Sequence, residues 1–215
     1  MLELDITGCC GIDCGDVEAW GAGGSGIALP PTLRALRARG CGELLSSVLV
    51  ARAASGCPAL AQLHVGCLRE AAGELEPQRL VVPRQLQRLL ERCGRLEDLA
   101  LPGCARLQDT AFERLCGGAR GQLRALNLAV LPFLSDTTAA AIARAQGASL
   151  RCLSLRGCPN VGDEALCALA AHCPLLERLD VACTEASDAG LTALAEAYRE
   201  APCQLRALDL RYCGP

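Results

Sequence analysis

The side chains of this sequence best equipped for chemistry are sixteen cysteines and two histidines. Thiolates and imidazoles are common zinc ligands and common nucleophile–base pairs. Cys9, Cys10 and Cys14 lie close together and His172 adjoins Cys173. No CxxC is matched by a second half at ligand spacing, so the pattern specifies no metal. A reactive thiol needs an accessible, electropositive site. Only Cys10 and Cys14 stand outside the regular positions described below, and they read as incidental surface thiols. His64 and His172 fall about four repeats apart and cannot serve one nucleophile. The glycine-rich AWGAGGSG lacks a P-loop lysine and a strand-to-helix setting, so it reads as a flexible loop. The sequence assigns no catalytic residue, no metal and no cofactor, and reads as a non-enzyme.

What must position these residues is a repeat. In Leu150 to Cys173, LRCLSLRGCPNVGDEALCALAAHC, Leu153 and Leu155 alternate as in a strand, whereas Leu166 and Leu169 recur at helical spacing. Gly157 and Cys158 separate the two periods. That spacing is the one of a leucine-rich repeat with cysteine at the Asn/Cys position. Taking Leu153 as an anchor, equivalents are Leu4, Leu36, Leu63, Leu99, Leu126, Leu179 and Leu208, in steps of 32, 27, 36, 27, 27, 26 and 29 residues along the eight. A second inward residue follows each anchor by two, from Ile6 to Leu210. One strand, turn and helix cannot bury its own apolar face, so the units must stack. The expected fold is an α/β solenoid or horseshoe of about eight repeats over 1–215, with parallel strands on the concave face and helices on the convex face. Leu44 to Ala54 and Arg84 to Arg92 read as helices, Pro83 suiting the first turn of the second. Stretches 16–31 and 68–83 read as irregular, and both ends read as uncapped.

Four aspartates recur three residues before a core position of a helix: Asp109, Asp136, Asp163 and Asp188. An Asp ahead of an apolar helical run is expected to cap that helix, its carboxylate accepting first-turn N–H groups.

Composition narrows the setting. The amino terminus has acidic residues where a signal peptide needs a basic start, and no run approaches the length of a membrane span. Cysteines at fixed repeat positions suit packing in a reducing compartment, so the reading is cytoplasmic or nuclear. With a net charge of −3 and no basic run, neither nucleic acid nor membrane is expected as a partner. Aromatics are 2% of the chain, which leaves Leu, Val, Ala and Cys to fill the core.

The segments LEDLALPGCARLQDTAFERL, LRCLSLRGCPNVGDEALCALAAHC and LERLDVACTEASDAGLTAL resemble the cysteine-containing leucine-rich repeats of F-box/leucine-rich-repeat proteins. The resemblance covers Leu2 to Cys213, most firmly Leu89 to Cys213. It implies the substrate-binding part of a Skp–cullin–F-box ubiquitin ligase, with a protein substrate on the concave face and the Skp-type adaptor and cullin held through an F-box. No stretch of this sequence resembles an F-box, so that link would run through a missing or separate one. The alternative is a stand-alone interaction scaffold.

Strand residues alternating with the inward leucines face the concave side. Toward the amino-terminal half these are Arg37, Arg39, His64 and Asp98. Toward the carboxyl-terminal half they form a polar stripe of Asn127, Ser154, Arg156, Arg178, Asp180, Asp209 and Arg211, with Cys152 and Tyr212 beside it. These seven are the expected protein-binding residues.

Overall fold

The structure is a computed structural model that describes residues 2–9, 29–66, 83–117, 122–200 and 204–213. The stretches expected to be irregular fall mainly on 10–28 and 67–82, and these, with Cys10, Cys14 and Cys67, lie outside the described residues.

Eight strands form one parallel sheet in chain order: β1 (Glu3–Asp5), β2 (Ala35–Arg39), β3 (Gln62–Gly66), β4 (Asp98–Ala100), β5 (Ala125–Asn127), β6 (Cys152–Ser154), β7 (Arg178–Asp180) and β8 (Ala207–Asp209). Repeats are numbered here by their strands. One rung of the ladder runs Leu4, Leu36, Leu63, Leu99, Leu126, Leu153, Leu179, Leu208, the eight anchors in register. The sequence step between anchors varies by ten residues, yet the register never slips. A one-residue slip would turn every inward side chain outward, so the buried leucines lock it.

The helices behind the sheet are α1 (Gly42–Gly56), α2 (Pro83–Arg92), α3 (Glu113–Gly117, entered through a 3-10 turn at Asp109–Phe112), α4 (Asp136–Gln146), α5 (Asp163–His172) and α6 (Asp188–Glu200). Sequential helices pack side by side. Between helices and sheet lies a continuous core in which Leu36, Leu63, Leu99, Leu101, Leu128 and Leu150 are fully buried.

The repeats are joined by two devices built on small polar groups. Cysteines of the turns donate Sγ–H to the preceding repeat: Cys41 to Ile6 O at 2.9 Å, Cys158 to Leu128 O at 3.1 Å and Cys213 to Val181 O at 2.9 Å. Each acceptor is the second inward residue, so the bond closes the strand end over the core. A second row sits at the helix ends, where Cys93 donates to Cys57 O at 3.3 Å and Cys173 to Ala143 O at 3.9 Å. Burial pushes the Cys173 thiol up to about 12 and, with Cys57 nearby, the Cys93 thiol up to about 11. None of the twelve described cysteines is joined in a disulfide. Alkylation of the native chain at pH 8, followed by peptide mass spectrometry, should label exposed Cys167 and Cys183 and spare Cys93, Cys158 and Cys173.

Asp109, Asp136 and Asp163 are the second device, and they act differently from the expectation. Asp136 does not cap its own helix: the N-cap of α4 is Ser135, whose Oγ accepts the Thr138 N–H at 3.1 Å. Asp136 instead reaches the next repeat, accepting Gly162 N–H at 2.8 Å, Ala165 N–H at 2.9 Å and Glu164 N–H at 3.0 Å. The N-cap of α5 is Gly162, which has no side chain to do this itself. Asp109 likewise accepts Ser135 N–H at 3.0 Å, and Asp163 accepts Ser187 N–H at 2.8 Å and Ser187 Oγ–H at 2.6 Å. Parallel helices place their N-termini side by side, so a carboxylate at the first helical position meets the neighbour's orphan donors.

The bonds from Ser187, hydroxyl first and then backbone N–H, hold the Asp163 carboxyl below the usual carboxylate range. A depressed native value gives stability that is complete above the unfolded value near 4 and is lost as pH falls through the native one. Urea midpoints of the parent and Asp163→Asn chains should therefore differ most above pH 5 and converge toward pH 3.

Candidate protein-binding face

The concave face is a groove of about 970 Å³ lined from Arg39 and His64 on one side to Asp209, Leu210 and Arg211 on the other. Of the seven stripe residues, Asn127, Ser154, Arg178, Asp180, Asp209 and Arg211 line it, and Arg156 joins them through Asp209. The structure thus brings all seven onto one face: Asn127, Ser154, Arg178, Asp180 and Asp209 stand on the strands beside the anchor leucines, and Arg156 and Arg211 follow the ends of β6 and β8.

Several of them have structural duties that residue type alone did not reveal. Asn127 Oδ1 accepts Ala129 N–H at 3.0 Å, Asp180 Oδ1 accepts Ala182 N–H at 3.1 Å and Asp209 Oδ1 accepts Arg211 N–H at 3.1 Å. These are Asx turns that bend the chain off the end of each strand. The second oxygens are engaged as well. Ser154 Oγ donates to Asp180 Oδ2 at 3.3 Å. Arg211 donates Nη2–H to Asp209 Oδ2 at 2.5 Å, and Arg156 Nη1 lies 3.5 Å from the same oxygen. The Arg211 side chain and N–H hold the Asp209 carboxyl down to about 2, with Arg156 adding to the effect. Asp209 is thus ionised throughout the physiological range, and two guanidinium groups share its one charge.

Arg178 differs. It is exposed at the start of β7, between Cys152 and Ala207 on its rung, and its guanidinium has no side-chain partner among the described residues. With Arg156 and Arg211 it gives repeats 6 to 8 three cations against Asp180 and Asp209.

The amino-terminal half of the face is internally paired. Arg37 donates to Gln62 Oε1 at 2.6 Å and lies 3.5 Å from Glu3 Oε2. Arg39 donates to His64 Nδ1 at 3.2 Å, and His64 Nε2 lies 2.8 Å from Asp98 Oδ2. Arginine can only donate, so Nδ1 is the accepting nitrogen, while Asp98 lies beside Nε2 without hydrogen-bond geometry. These contacts link side chains of β2, β3 and β4.

A feature missed from the sequence lies where the strands end. The residue four past the anchor takes a left-handed conformation in seven repeats: Gly8, Gly40, Gly103 and Gly157 at φ 67 to 77°, and Val130, Cys183 and Tyr212 at φ 57 to 58°. Its N–H continues the ladder to the next repeat, as Val130 does to Arg156 O at 2.7 Å and Cys183 to Arg211 O at 2.9 Å. Glycine adopts this conformation freely, whereas a β-branched residue such as valine is strained in it. The signal was present as a regular glycine interrupted in repeats 3, 5, 7 and 8.

The geometry defines a class, a solenoid presenting a polar concave face. The model of the leucine-rich repeat family matches residues 148–170 and 172–195. Over 120 residues the chain is 32% identical to F-box/LRR-repeat protein 4 of Bos taurus, a match covering 45% of this chain and 19% of that protein. Its fold is similar to that in the crystal structure of the yeast Rad7 and Elc1 complex, with a TM-score of 0.55, 18% identity, and coverage of 85% of this chain and 57% of that one. The tropomodulin C-terminal domain of Caenorhabditis elegans is similar at a TM-score of 0.50 and 15% identity, covering 72% of this chain and 91% of that one. The chain is a leucine-rich-repeat protein, a protein-interaction module by class. Its repeats are similar to those of an F-box/LRR-repeat protein. No helix among the described residues is long and apolar enough to cross a membrane.

Proposed function

We propose that this chain is the substrate-recognition part of a Skp–cullin–F-box type ubiquitin ligase, holding a protein on the concave face of repeats 5 to 8. The observation that carries the recognition half is the groove itself, with Arg178 unpaired among its lining residues. Arginine is enriched among interface hot spots, and an exposed guanidinium without an internal partner loses little on docking. The ligase half is supported by the similarity to F-box/LRR-repeat protein 4, and by a fold neighbour captured in a complex, Rad7 with Elc1.

A chemical property of the chain suits that role. All 21 cationic residues are arginine and none is lysine. Isopeptide formation needs a lysine ε-amine, and guanidinium stays protonated and non-nucleophilic at neutral pH. A receptor of this composition presents a partner's lysines without offering its own.

The test is a pull-down of the chain from cytosol under reducing conditions, probed for the Skp-type adaptor and cullin, followed by ubiquitin transfer in the captured complex. Adaptor and cullin should be recovered, with ubiquitin on a bound partner and no lysine-linked ubiquitin on these 215 residues. If proteins bind through the groove while adaptor and cullin are absent, the ligase reading fails and the chain is a stand-alone scaffold.

A further inference from the structure

Four guanidinium groups stand at the edge where the strands begin. Arg34, Arg95, Arg178 and Arg206 are exposed, and none of them bonds another side chain among the described residues. They come from separate repeats, which is why the sequence shows no basic run. The residue two before each anchor donates its N–H to its counterpart in the preceding repeat, from Ala61 to Arg34 O at 2.8 Å through to Arg206 to Glu177 O at 2.8 Å. Arg34, Glu97, Arg124, Arg151, Glu177 and Arg206 therefore stack in one row, with neighbouring strands about 4.8 Å apart.

The acids of this edge are already engaged. Glu97 lies 3.4 Å from Arg124, and Glu177 lies 2.5 Å from Arg151. At the strand position of Arg178, Glu3 and Asp98 lie against Arg37 and His64. Asp109, Asp136, Asp163 and Asp188 begin helices and so belong to the opposite edge. Helix C-termini favour a nearby cation, but α2, α4 and α6 carry Arg92, Arg144 and Arg199 in their own last turns. Neither ion pairing nor helix-end charge accounts for the four further cations, whose mutual repulsion disfavours the fold.

The four form two poles. Arg34 and Arg95, with Arg124, border a depression of about 610 Å³ that the small residues Ala59, Ala61 and Gly94 leave open. Arg178 and Arg206 stand on the adjoining strands β7 and β8, Arg178 pairing with Ala207 in register. Between the poles the row is neutralised by its two Glu–Arg pairs. A guanidinium fork matches a carboxylate. A nucleic-acid strand would bring its regular phosphates against Glu97 and Glu177, whereas a peptide can set neutral residues there.

We propose that the strand-entry edge binds an extended polypeptide segment with two acidic clusters, one seated between Arg34 and Arg95 and the other against Arg178 and Arg206. The poles lie about four strands, or roughly 20 Å, apart, which about six extended residues span. This deepens the reading of the chain as a protein-recognition module and rests on it, sharing Arg178 with the concave site.

The probe is a fluorescein-labelled peptide with a Glu-Glu pair at each end of about six Ser and Ala residues, titrated onto the full chain by fluorescence polarisation. It should bind about tenfold more tightly than a peptide of the same composition with its glutamates contiguous. The Arg34→Glu/Arg95→Glu and Arg178→Glu/Arg206→Glu chains should melt like the parent, since these guanidinium groups hold no side-chain partner, yet each should weaken binding about tenfold or more. Absence of binding, equal binding of the contiguous peptide or of a lysine counterpart, tighter binding of oligothymidylate, or an effect confined to one pair of arginines overturns the proposal. If neither double variant weakens the peptide while Arg178→Glu lowers the capture of proteins from cytosol, the edge is refuted and the concave reading survives. If both weaken it while that capture is unchanged, the edge stands and the concave reading falls.

Discussion

Replacing Gly147 with alanine is expected to lower stability by roughly 3 kcal/mol, as an overpacked contact with rigid backbone does. For a chain of this size that is a fall in Tm of about 6–12 °C. Gly147 follows α4 at the place that Cys57, Cys93 and Cys173 occupy in their own repeats, each donating its N–H four residues back. A Cβ there would stand 2.3 Å from His172 O, 2.4 Å from Ala143 O and 2.8 Å from Cys173 Sγ. A sulfur can rotate away, but the carbonyls belong to the last turns of α5 and α4 and cannot. Adding Cys173→Ala should therefore leave most of the loss in place. Thermal and urea melts of the single and double variants decide it, and a G147A chain as stable as its parent would mean that the ends of α4 and α5 are not this close.

The second large effect is expected at Asp136. Its alanine variant should lose about 2–3 kcal/mol, because three backbone donors at the start of α5 lose a charged acceptor at once and Gly162 offers no replacement. Asp136→Asn keeps one oxygen able to accept from Gly162 and Ala165 and should lose about half as much. If the carboxylate capped its own helix instead, removing it would leave α5 unaffected. Hydrogen exchange separates the two: the D136A chain should lose protection in the first turn of α5, at Glu164 and Ala165, before it does so in α4.

The sheet could be read from the sequence in full, since all eight anchors share one rung. Period-two leucines are a local signal that stacking leaves unchanged. The helix at Pro83–Arg92 was legible for the same reason, with proline at its first position. The partner of an Asp was not. Asp136 looks alike in sequence whether it caps α4 or α5, and only the lateral packing of parallel helices decides. The stripe was legible as a set of positions but not as a network. That Asp209 restrains Arg211 two residues on, and is reached by Arg156 from two strands away, depends on the curvature of the face. Arg178 stood in the sequence as one arginine among several, and its lack of an internal partner emerges only once the others are seen to be paired.

The central claim is that the concave face of repeats 5 to 8 holds a protein through Arg178 and its neighbours. Its most direct test is a comparison of the proteins captured from reduced cytosol by the parent chain and by Arg178→Glu, quantified by mass spectrometry, with melting curves showing that both are folded. The Arg178 side chain is exposed and makes no bond to another side chain among the described residues, so the two chains should melt alike while a defined set of captured proteins falls about tenfold or more with the charge reversal. Equal capture of every protein by two equally stable chains would contradict the claim and move the binding surface elsewhere on the solenoid.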